Sequence, residues 1–513
     1  MHQPITSKTI PLNRLGKIVA RLKKEGKKIV HCHGVFDLIH PGHIRYFESA
    51  KALGDVLVVT ITGDKFVKKG PGRPFFNESL RSEVLSSLQM VDYVAVVKSP
   101  NAILAINIIK PTFYVKGPDY KHRKPNPLYP RKLGDEEIAV KAGGGTLKYT
   151  DDEVVFSSSH LINRYLESYP SQTQKYLKKI RESYRDKGIF EMLVQIKTKK
   201  ILVIGDAIID QYHYTLPMGK SSKEPLVVHI YRGEESFAGG ALATANHLAA
   251  LSDHVHLITL LGKKLSFVGF IKQHLQTQVK PIFFYQDDAP SIIKRRFIDE
   301  VTKQKLFQVS YMKDEAVTSE TEGKILNFLR TEITNFDLVV VNDFGHGLMS
   351  PKIIRLICKK AKYVALNVQA NSANYGFNIV TKYPRADFVC MDEQELRLAT
   401  HDKYSNLLKL VKRIAKKLNC NELIVTRGSI GCLSYTKGEG IVESPALSQL
   451  VVDRIGAGDA FFAITAPCAY IGMDQTLVSF IGNVAGALKV QSVGNKTPID
   501  NRDLTKFIVR LLK

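Results

Sequence analysis

Two short stretches gather side chains whose types and spacing could do chemistry. HGVFDLIHPGH, residues 33–43, holds His33, His40 and His43 around a Gly-Pro turn. VVDRIGAGDAFFA, residues 451–463, holds Gly456, Ala457, Gly458 and Asp459 ahead of an apolar run. In the first, Pro41 fits the opening turn of a helix, where its missing N–H costs little. A helix start offers free N–H groups and a positive dipole end to phosphate. His40 and His43, three apart, can face the same space and donate to phosphoryl oxygens during transfer. Gly42 lets a nucleotide approach the backbone closely. Two alternatives stay open. The paired histidines could ligate zinc, although no third acidic or thiol ligand completes a known pattern. They could also be structural, a role assigned first to His33. In the second stretch, a glycine-rich turn before a helix is an anion cradle, and Asp459 at its lip could take the proton of an attacking hydroxyl.

Both stretches require strands to deliver them. From residue 27 to about 165, IVHCHGVF, DVLVVTIT, YVAVV and FYVKG read as strands, alternating with the helical patterns HIRYFESAKALG, ESLRSEVLSSL and NAILAINIIK. From residue 199, ILVIGDAI, HLITLLG, FDLVVVND, YVALNV, DFVCMDE and ELIVTRG alternate with helices likewise. Such alternation predicts α/β architecture, two doubly wound parallel-sheet domains with ligands beyond the carboxyl ends of the strands. The expected boundaries are 1–165, a polar helical linker over 166–198, and 199–513.

At 513 residues the chain is too long for one ordinary core. No apolar run reaches the roughly 18 to 20 residues needed to cross a bilayer, and the N-terminus lacks a secretory pattern. Six scattered cysteines without a C-x-x-C pair predict reduced thiols and a cytoplasmic protein. The net charge of +24 calls for an anionic partner. Its basic residues are spread in short runs such as RLKKEGKK and KRIAKK, which read as solvated helix faces. No zinc finger or RNA-recognition signature accompanies them, so phosphorylated metabolites and nucleotides rank ahead of nucleic acid.

The motif G-V-F-D-x-x-H-P-G-H resembles the H-x-G-H signature of the nucleotidyltransferases that include glycerol-phosphate cytidylyltransferases and heptose-phosphate adenylyltransferases. KKGPGRPFFNESLRSEVLSSLQMVDYV, VKGPDY and FSSSHLIN are similar to later landmarks of that family, in order. The resemblance implies attack of a sugar or polyol phosphate on a nucleoside triphosphate, with pyrophosphate leaving. It implies that His40, His43 and Lys69 (or Lys68) act on the reacting phosphates. Gly34, Phe36, Asp37, Gly42, Arg81, Gly117, Asp119, Ser157, Ser158 and Ser159 would surround the nucleotide, and Arg81 would face it or the leaving group.

GAGD lies about 220 residues after ESFAGGALATANHLAAL, and the pair resembles the two signatures of ribokinase-like carbohydrate kinases. SKEPLVVHIYRGEESFAGG is similar to that family's β lid. By resemblance Asp459 is the base in the anion hole of Gly456, Ala457 and Gly458. Asp206, Asp210, Gly239, Gly240, Lys294 and Arg296 would hold the sugar or its phosphate. Asp343 would stand at another strand end. Thr426, Gly428 and Asn483 would line the nucleotide pocket, and Glu395 would organise Mg²⁺ indirectly. The chain departs from heptose-phosphate kinases at Ala243, Asp392, Arg454 and the 367–369 triplet NVQ. These changes leave the base and anion hole intact and open the question of the sugar.

The two halves together resemble bifunctional heptose-phosphate kinase/adenylyltransferases, in which the kinase half comes first; here the order is reversed. The resemblance implies a sugar-phosphate kinase and nucleotidyltransferase making an NDP-activated sugar, ADP-heptose-like, with ATP and Mg²⁺. A CTP-dependent cytidylyltransferase fused to its kinase is the alternative. A non-catalytic nucleotide- or nucleic-acid-binding regulator is a third reading. Expected partners are a sugar phosphate and a nucleoside triphosphate, with no membrane; a homo-oligomer is left open.

Overall fold

A computed structural model of the chain describes residues 8–67, 73–117, 132–150, 169–184, 186–372, 374–448 and 451–512. The chain divides into two compact units, Met1–Pro170 with Thr505–Lys513, and Ser171–Leu504. The two helices in the segment read as a linker are grouped with the second unit.

In the first unit, strands β1 (Ile29–Gly34), β2 (Val56–Thr62), β3 (Tyr93–Val97), β4 (Phe113–Lys116) and β5 (Thr146–Tyr149) form one sheet ordered β3-β2-β1-β4-β5. Every pairing is parallel. Helix α1 (Leu12–Lys24) precedes the sheet, and α2 (Pro41–Lys51), α3 (Glu78–Ser86), α4 (Ile103–Ile109) and α5 (Lys132–Ala142) lie in the four crossovers. All seven residues of β2 are buried, as a strand covered on both faces must be. Val30, Leu57 and Val59 pack with Phe47 of α2 and Leu85 of α3, whereas Ile29, Val56 and Val58 pack with Leu15 of α1 and Ala105 of α4. Strand order reverses between β1 and β4, and the crevice beyond their carboxyl ends is where such sheets take ligands.

In the second unit, α6 (Ser171–Ser183) and α7 (Asp186–Ile196) precede a nine-stranded sheet. Its members are β6 (Lys200–Gly205), β9 (His254–Lys264), β10 (Val279–Pro290), β13 (Leu338–Asp343), β14 (Val364–Val368), β15 (Phe388–Asp392), β16 (Glu422–Thr426), β17 (Gly431–Thr436) and β18 (Gly440–Pro445), ordered β10-β9-β6-β13-β14-β15-β16-β17-β18. Only β17 and β18 run antiparallel to their neighbours. A separate four-stranded sheet, β12-β11-β7-β8, is built from β7 (Ala207–Lys220), β8 (Val227–Gly240), β11 (Ile292–Asp299) and β12 (Lys305–Tyr311). Helices α8 (Ala241–Leu248), α9 (Val268–His274), α10 (Ser319–Glu332), α11 (Pro351–Lys360), α12 (Glu393–Thr400), α13 (Leu407–Lys417), α14 (Ala457–Tyr470) and α15 (Gln475–Lys489) belong to this unit, and α16 (Asn501–Leu512) ends the chain, its residues from Thr505 grouped with the first unit. The basic run in α13 lies on a solvated face: Leu410, Val411, Ile414 and Ala415 are buried while Lys412, Arg413, Lys416 and Lys417 are exposed. All six cysteines are buried and unpaired. Among the described residues no helix is long and apolar enough to cross a membrane.

Candidate active sites

The first site forms where β1 ends. A Cβ on Gly34 would lie 2.9 Å from the Phe36 ring, so only glycine admits that ring. Phe36 adopts a left-handed φ of 48° and meets the His43 ring edge-on at 5.3 Å. Asp37 is buried and anchored, pairing with Arg73 at 3.0 Å and accepting the Phe75 and Phe76 amides at 2.7 and 3.0 Å. It braces the loop and is not available as a base. His40 is the N-cap of α2 and makes no side-chain capping bond. The His43 and Ile44 amides donate to the His40 carbonyl at 2.8 and 3.2 Å and Pro41 has no N–H, so no side chain of the cap competes for the Gly42 amide. The His40 and His43 rings lie against each other, tilted by 31°, with centroids 3.9 Å apart. Burial lowers the pKa of His40, which favours the neutral imidazole, and its Nδ1 finds no hydrogen-bond partner among the described residues. His33 instead bridges Thr60 and Thr62 of β2 at 2.8 and 3.2 Å. Gly117 follows β4 directly, across the switch point from α2.

Arg81 is turned inward. It donates to the carbonyls of Phe76, Val35 and Thr62 at 3.0, 2.6 and 2.9 Å and to Asp64 at 2.6 Å. Its guanidinium fork thus ties three backbone segments together beneath the loop. Lys69 (with Lys68), Asp119 and Ser157, Ser158 and Ser159 lie outside the described residues. Among the described residues no group of three or more His, Cys, Asp or Glu side chains is placed to hold a metal ion.

The second site forms at the start of α14. Gly456 caps it with a left-handed φ of 80°, and Ala457, Gly458 and Asp459 open its first turn, where backbone N–H groups have no partner within the helix. Asp459 is buried. Burial drives its pKa up to about 6 against the opposing hydrogen bonds from Asn342 and Gln369. Those bonds reach one carboxylate oxygen, Oδ1, at 3.1 and 2.8 Å. Asn342 also donates to Thr244 at 2.6 Å, and Gln369 to Asn367 at 2.8 Å. A carboxylate mostly ionised at neutral pH, with one oxygen fixed by two amides, suits proton abstraction.

Among the residues that the resemblance assigned to the sugar, a Cβ on Gly239 would sit 2.2 Å from Asp210 Oδ2, and one on Gly240, at φ 57°, 2.4 Å from the Asp206 carbonyl. The two glycines let α8 begin flush against both aspartates. Asp210 pairs with Arg296 at 2.5 Å, and Lys294 stands opposite Asp210 in the β7–β11 register. Burial lowers the Lys294 pKa, with Asp210, Asp206 and Asp459 acting against it. Burial and then Asp343 push Asp206 up to about 7, and it accepts the Phe344 and His346 amides at 3.0 and 3.3 Å. Asp343 itself is locked by Tyr383 at 2.7 Å and Lys382 at 2.6 Å. Its neighbour Asn342 projects to the opposite face and reaches the base, as alternation along a strand dictates.

Of the residues the resemblance assigned to the nucleotide, Gly428 turns with a left-handed φ of 56° two residues past the end of β16. Thr426 is partly exposed there, its hydroxyl directed at the Met391 carbonyl at 3.5 Å. Asn483 is buried in α15 and directed at the Ser444 carbonyl at 3.4 Å. Glu395 forms a capping box with Asp392 and accepts the Ala370 amide at 3.0 Å. Its pKa is raised, first by burial and then by Asp392, with Asp459 adding to the effect. Asp392 and Glu395 are thus committed to capping each other, so any Mg²⁺ here would be held mainly through nucleotide phosphates and water.

The sequence did not single out Asn342 as a partner of the base, and it marked Gln369 only as a departure. The NVQ triplet was the available signal for the latter. Comparisons with known proteins complete the picture. A family model described as "Cytidylyltransferase-like" matches residues 31–164, and one described as "pfkB family carbohydrate kinase" matches residues 198–502. The chain is similar to proteins named "Bifunctional protein HldE". It is 34% identical over 315 residues to that of Citrifermentans bemidjiense (60% of this chain, 63% of the relative). It is 43% identical over 127 residues to that of Aliarcobacter butzleri (24% and 26%), and 32% over 170 residues to that of Geobacter metallireducens (33% of each). Each match spans less than two thirds of the relative. Ribokinase from Thermotoga maritima superposes with a TM-score of 0.50 at 16% identity, covering 61% of this chain and 99% of that one. Phosphofructokinase-2 from Escherichia coli does so with 0.50 at 12%, covering 62% and 100%; both likenesses concern the fold. With the kinase family matched over more than half its length, a cytidylyltransferase-like segment ahead of it, and GAGD opening a buried helix, the chain belongs to the pfkB family of carbohydrate kinases.

Proposed function

We propose that the chain is a bifunctional enzyme that phosphorylates a sugar phosphate and then joins the product to a nucleotide, yielding an ADP-heptose-like activated sugar. The observation that carries the reading is the Asp459 carboxylate, buried at a helix start and held by Asn342 and Gln369. In the kinase reaction, Asp459 accepts the proton of the acceptor hydroxyl as that oxygen attacks the γ-phosphorus of ATP. The amides of Gly456–Asp459 face the charge that develops on the transferring group. Asp206 and Asp210 bind sugar hydroxyls, and Lys294 and Arg296 meet the phosphate already on the sugar. Thr426, Gly428 and Asn483 shape the nucleotide pocket, with Glu395 organising Mg²⁺ indirectly. The metal, when bound, neutralises the β- and γ-phosphates of ATP.

In the transferase reaction the attacking group is a phosphate oxygen. His40 and His43, on the start of α2, bind the triphosphate and stabilise the departing pyrophosphate, with Lys69 on the same phosphates. Gly34, Phe36, Asp37 and Gly117 shape the bed of the nucleotide, Asp119 and Ser157–Ser159 complete it, and Arg81 braces the loop. Mass spectrometry of the purified chain with Mg²⁺, ATP or CTP, and a panel of heptose, hexose and polyol phosphates tests the proposal. It expects ADP and a doubly phosphorylated sugar, then pyrophosphate and an adenylylated sugar. A cytidylylated product formed only with CTP would overturn the choice of nucleotide. No turnover with any acceptor, together with salt-dependent binding to nucleic acid, would overturn the enzyme reading.

A further inference from the structure

Lys489, the last residue of α15, is 2% exposed, a burial that an ammonium tolerates only when partnered. Its Nζ donates to the Gly494 carbonyl and to Ser492 Oγ, the latter at 3.2 Å. The turn it holds is laced to the strand of chain entering the glycine cradle. The Val452 and Asp453 amides donate to the Val490 carbonyl at 2.7 and 3.1 Å. The Gly494 amide donates to Asp453 Oδ2 at 3.0 Å. Asp453 in turn accepts the Ile455 amide at 3.1 Å, Tyr212 at 2.7 Å and Lys305 at 2.7 Å. A Cβ on Gly456 would lie 2.1 Å from Asn495 Oδ1 and 3.1 Å from Lys489 Cε. The lysine therefore packs directly against the turn that caps α14. Burial lowers its pKa to about 8 while Asp453, Asp459 and Asp210 oppose the shift, so it is cationic at neutral pH.

We propose that Lys489 is a built-in counter-charge beneath the Gly456–Asp459 cradle, a positioning residue that holds the turn open to an anion and adds positive potential as charge grows on the transferring phosphoryl group. The inference rests on the kinase reading above. A cation behind the first turn reinforces the helix dipole where the dipole alone is worth little in solvent. Its position in a dry interior makes its field count more than a surface lysine's. It also gives a reason for a lysine at a place where leucine or methionine would bury more easily.

The test uses the full chain with Lys489→Met, which keeps the volume and removes the charge, and Lys489→Ala, which opens a cavity. Kinase turnover is measured with the fastest acceptor from the panel, and pyrophosphate release by the first site serves as the internal control. Binding of ADP with aluminium fluoride, followed by calorimetry, reads the cradle without an acceptor. The expected result is a kcat about 100-fold lower in Lys489→Met with the acceptor KM little changed. ADP–aluminium fluoride binding should weaken at least about tenfold, and ammonium or methylammonium, but not tetramethylammonium, should partly restore Lys489→Ala. Unchanged kcat and anion affinity in Lys489→Met would overturn the inference. So would equal loss of both activities with no rescue, which marks a purely structural lysine. A wild-type chain that neither turns over nor binds ADP–aluminium fluoride overturns the kinase reading instead.

Discussion

Around His40 and His43 the polar side chains over a helix start are imidazoles, and the carboxylate of the same motif, Asp37, is tied to Arg73 and two backbone amides. Around Gly456–Asp459 the helix start carries a buried carboxylate with a raised pKa. Both places lie beyond the ends of parallel strands, and both pair a helix terminus with glycine. The difference follows from the attacking group each site would serve. A sugar hydroxyl must lose a proton to attack, so it needs a base matched to neutral pH. A sugar phosphate is already an anion, so positioning and charge stabilisation suffice.

That contrast can be broken by variants that touch one site only. Asp459→Asn keeps the shape and removes the base; kinase kcat should fall by about 10³ to 10⁴-fold, while pyrophosphate release from a pre-phosphorylated sugar continues. A coupled acceptor assay reads the first and a pyrophosphate assay the second. His43→Ala should lower pyrophosphate release by about 10² to 10³-fold and leave ADP formation at the wild-type rate. Equal losses in both assays for either variant would erase the distinction between the sites. Arg81→Met removes a buried guanidinium from four acceptors and should destabilise the first unit by about 3 to 5 kcal/mol, seen as a lower denaturant midpoint, with kinase kinetics unchanged. Gln369→Leu has the smallest effect. Its hydrogen bond lowers the pKa of Asp459, so its loss raises that pKa and the base is protonated over a wider range. The acidic limb of kinase kcat/KM should move upward from about pH 6, costing about fivefold at pH 6 and fading above pH 8.

The motifs that sit in one short run were legible from sequence. Pro41-Gly42-His43 announces a helix start, and Gly456 to Asp459 announces a second, because helix termini are specified locally. The strand–helix alternation gave the parallel sheets, since buried strands read as continuous apolar runs. The groups that tune Asp459 were not legible. Asn342 and Gln369 are 117 and 90 residues away in the chain, and only sheet packing brings them to it. Asp343 drew attention as the charged residue, yet strand alternation sends it to Tyr383 and Lys382 and sends Asn342 to the site. The family resemblance implied that Arg81 faces the nucleotide or the leaving group; its inward direction depends on carbonyls of Val35 and Thr62, which the local sequence does not reveal. The four-stranded sheet was only partly visible: Phe307, Val309 and Tyr311 of β12 alternate with Gln308 and Ser310, yet the strand is exposed along its whole length, so its alternation marks no buried face.

The most direct test is a single time course, followed by mass spectrometry, of wild-type, Asp459→Asn and His43→Ala chains with ATP, Mg²⁺ and the active sugar phosphate. The account predicts an activated sugar from the wild type, accumulation of the doubly phosphorylated sugar with His43→Ala, and no product with Asp459→Asn until that intermediate is supplied. Formation of the activated sugar by Asp459→Asn from the singly phosphorylated substrate, at the wild-type rate, would contradict it.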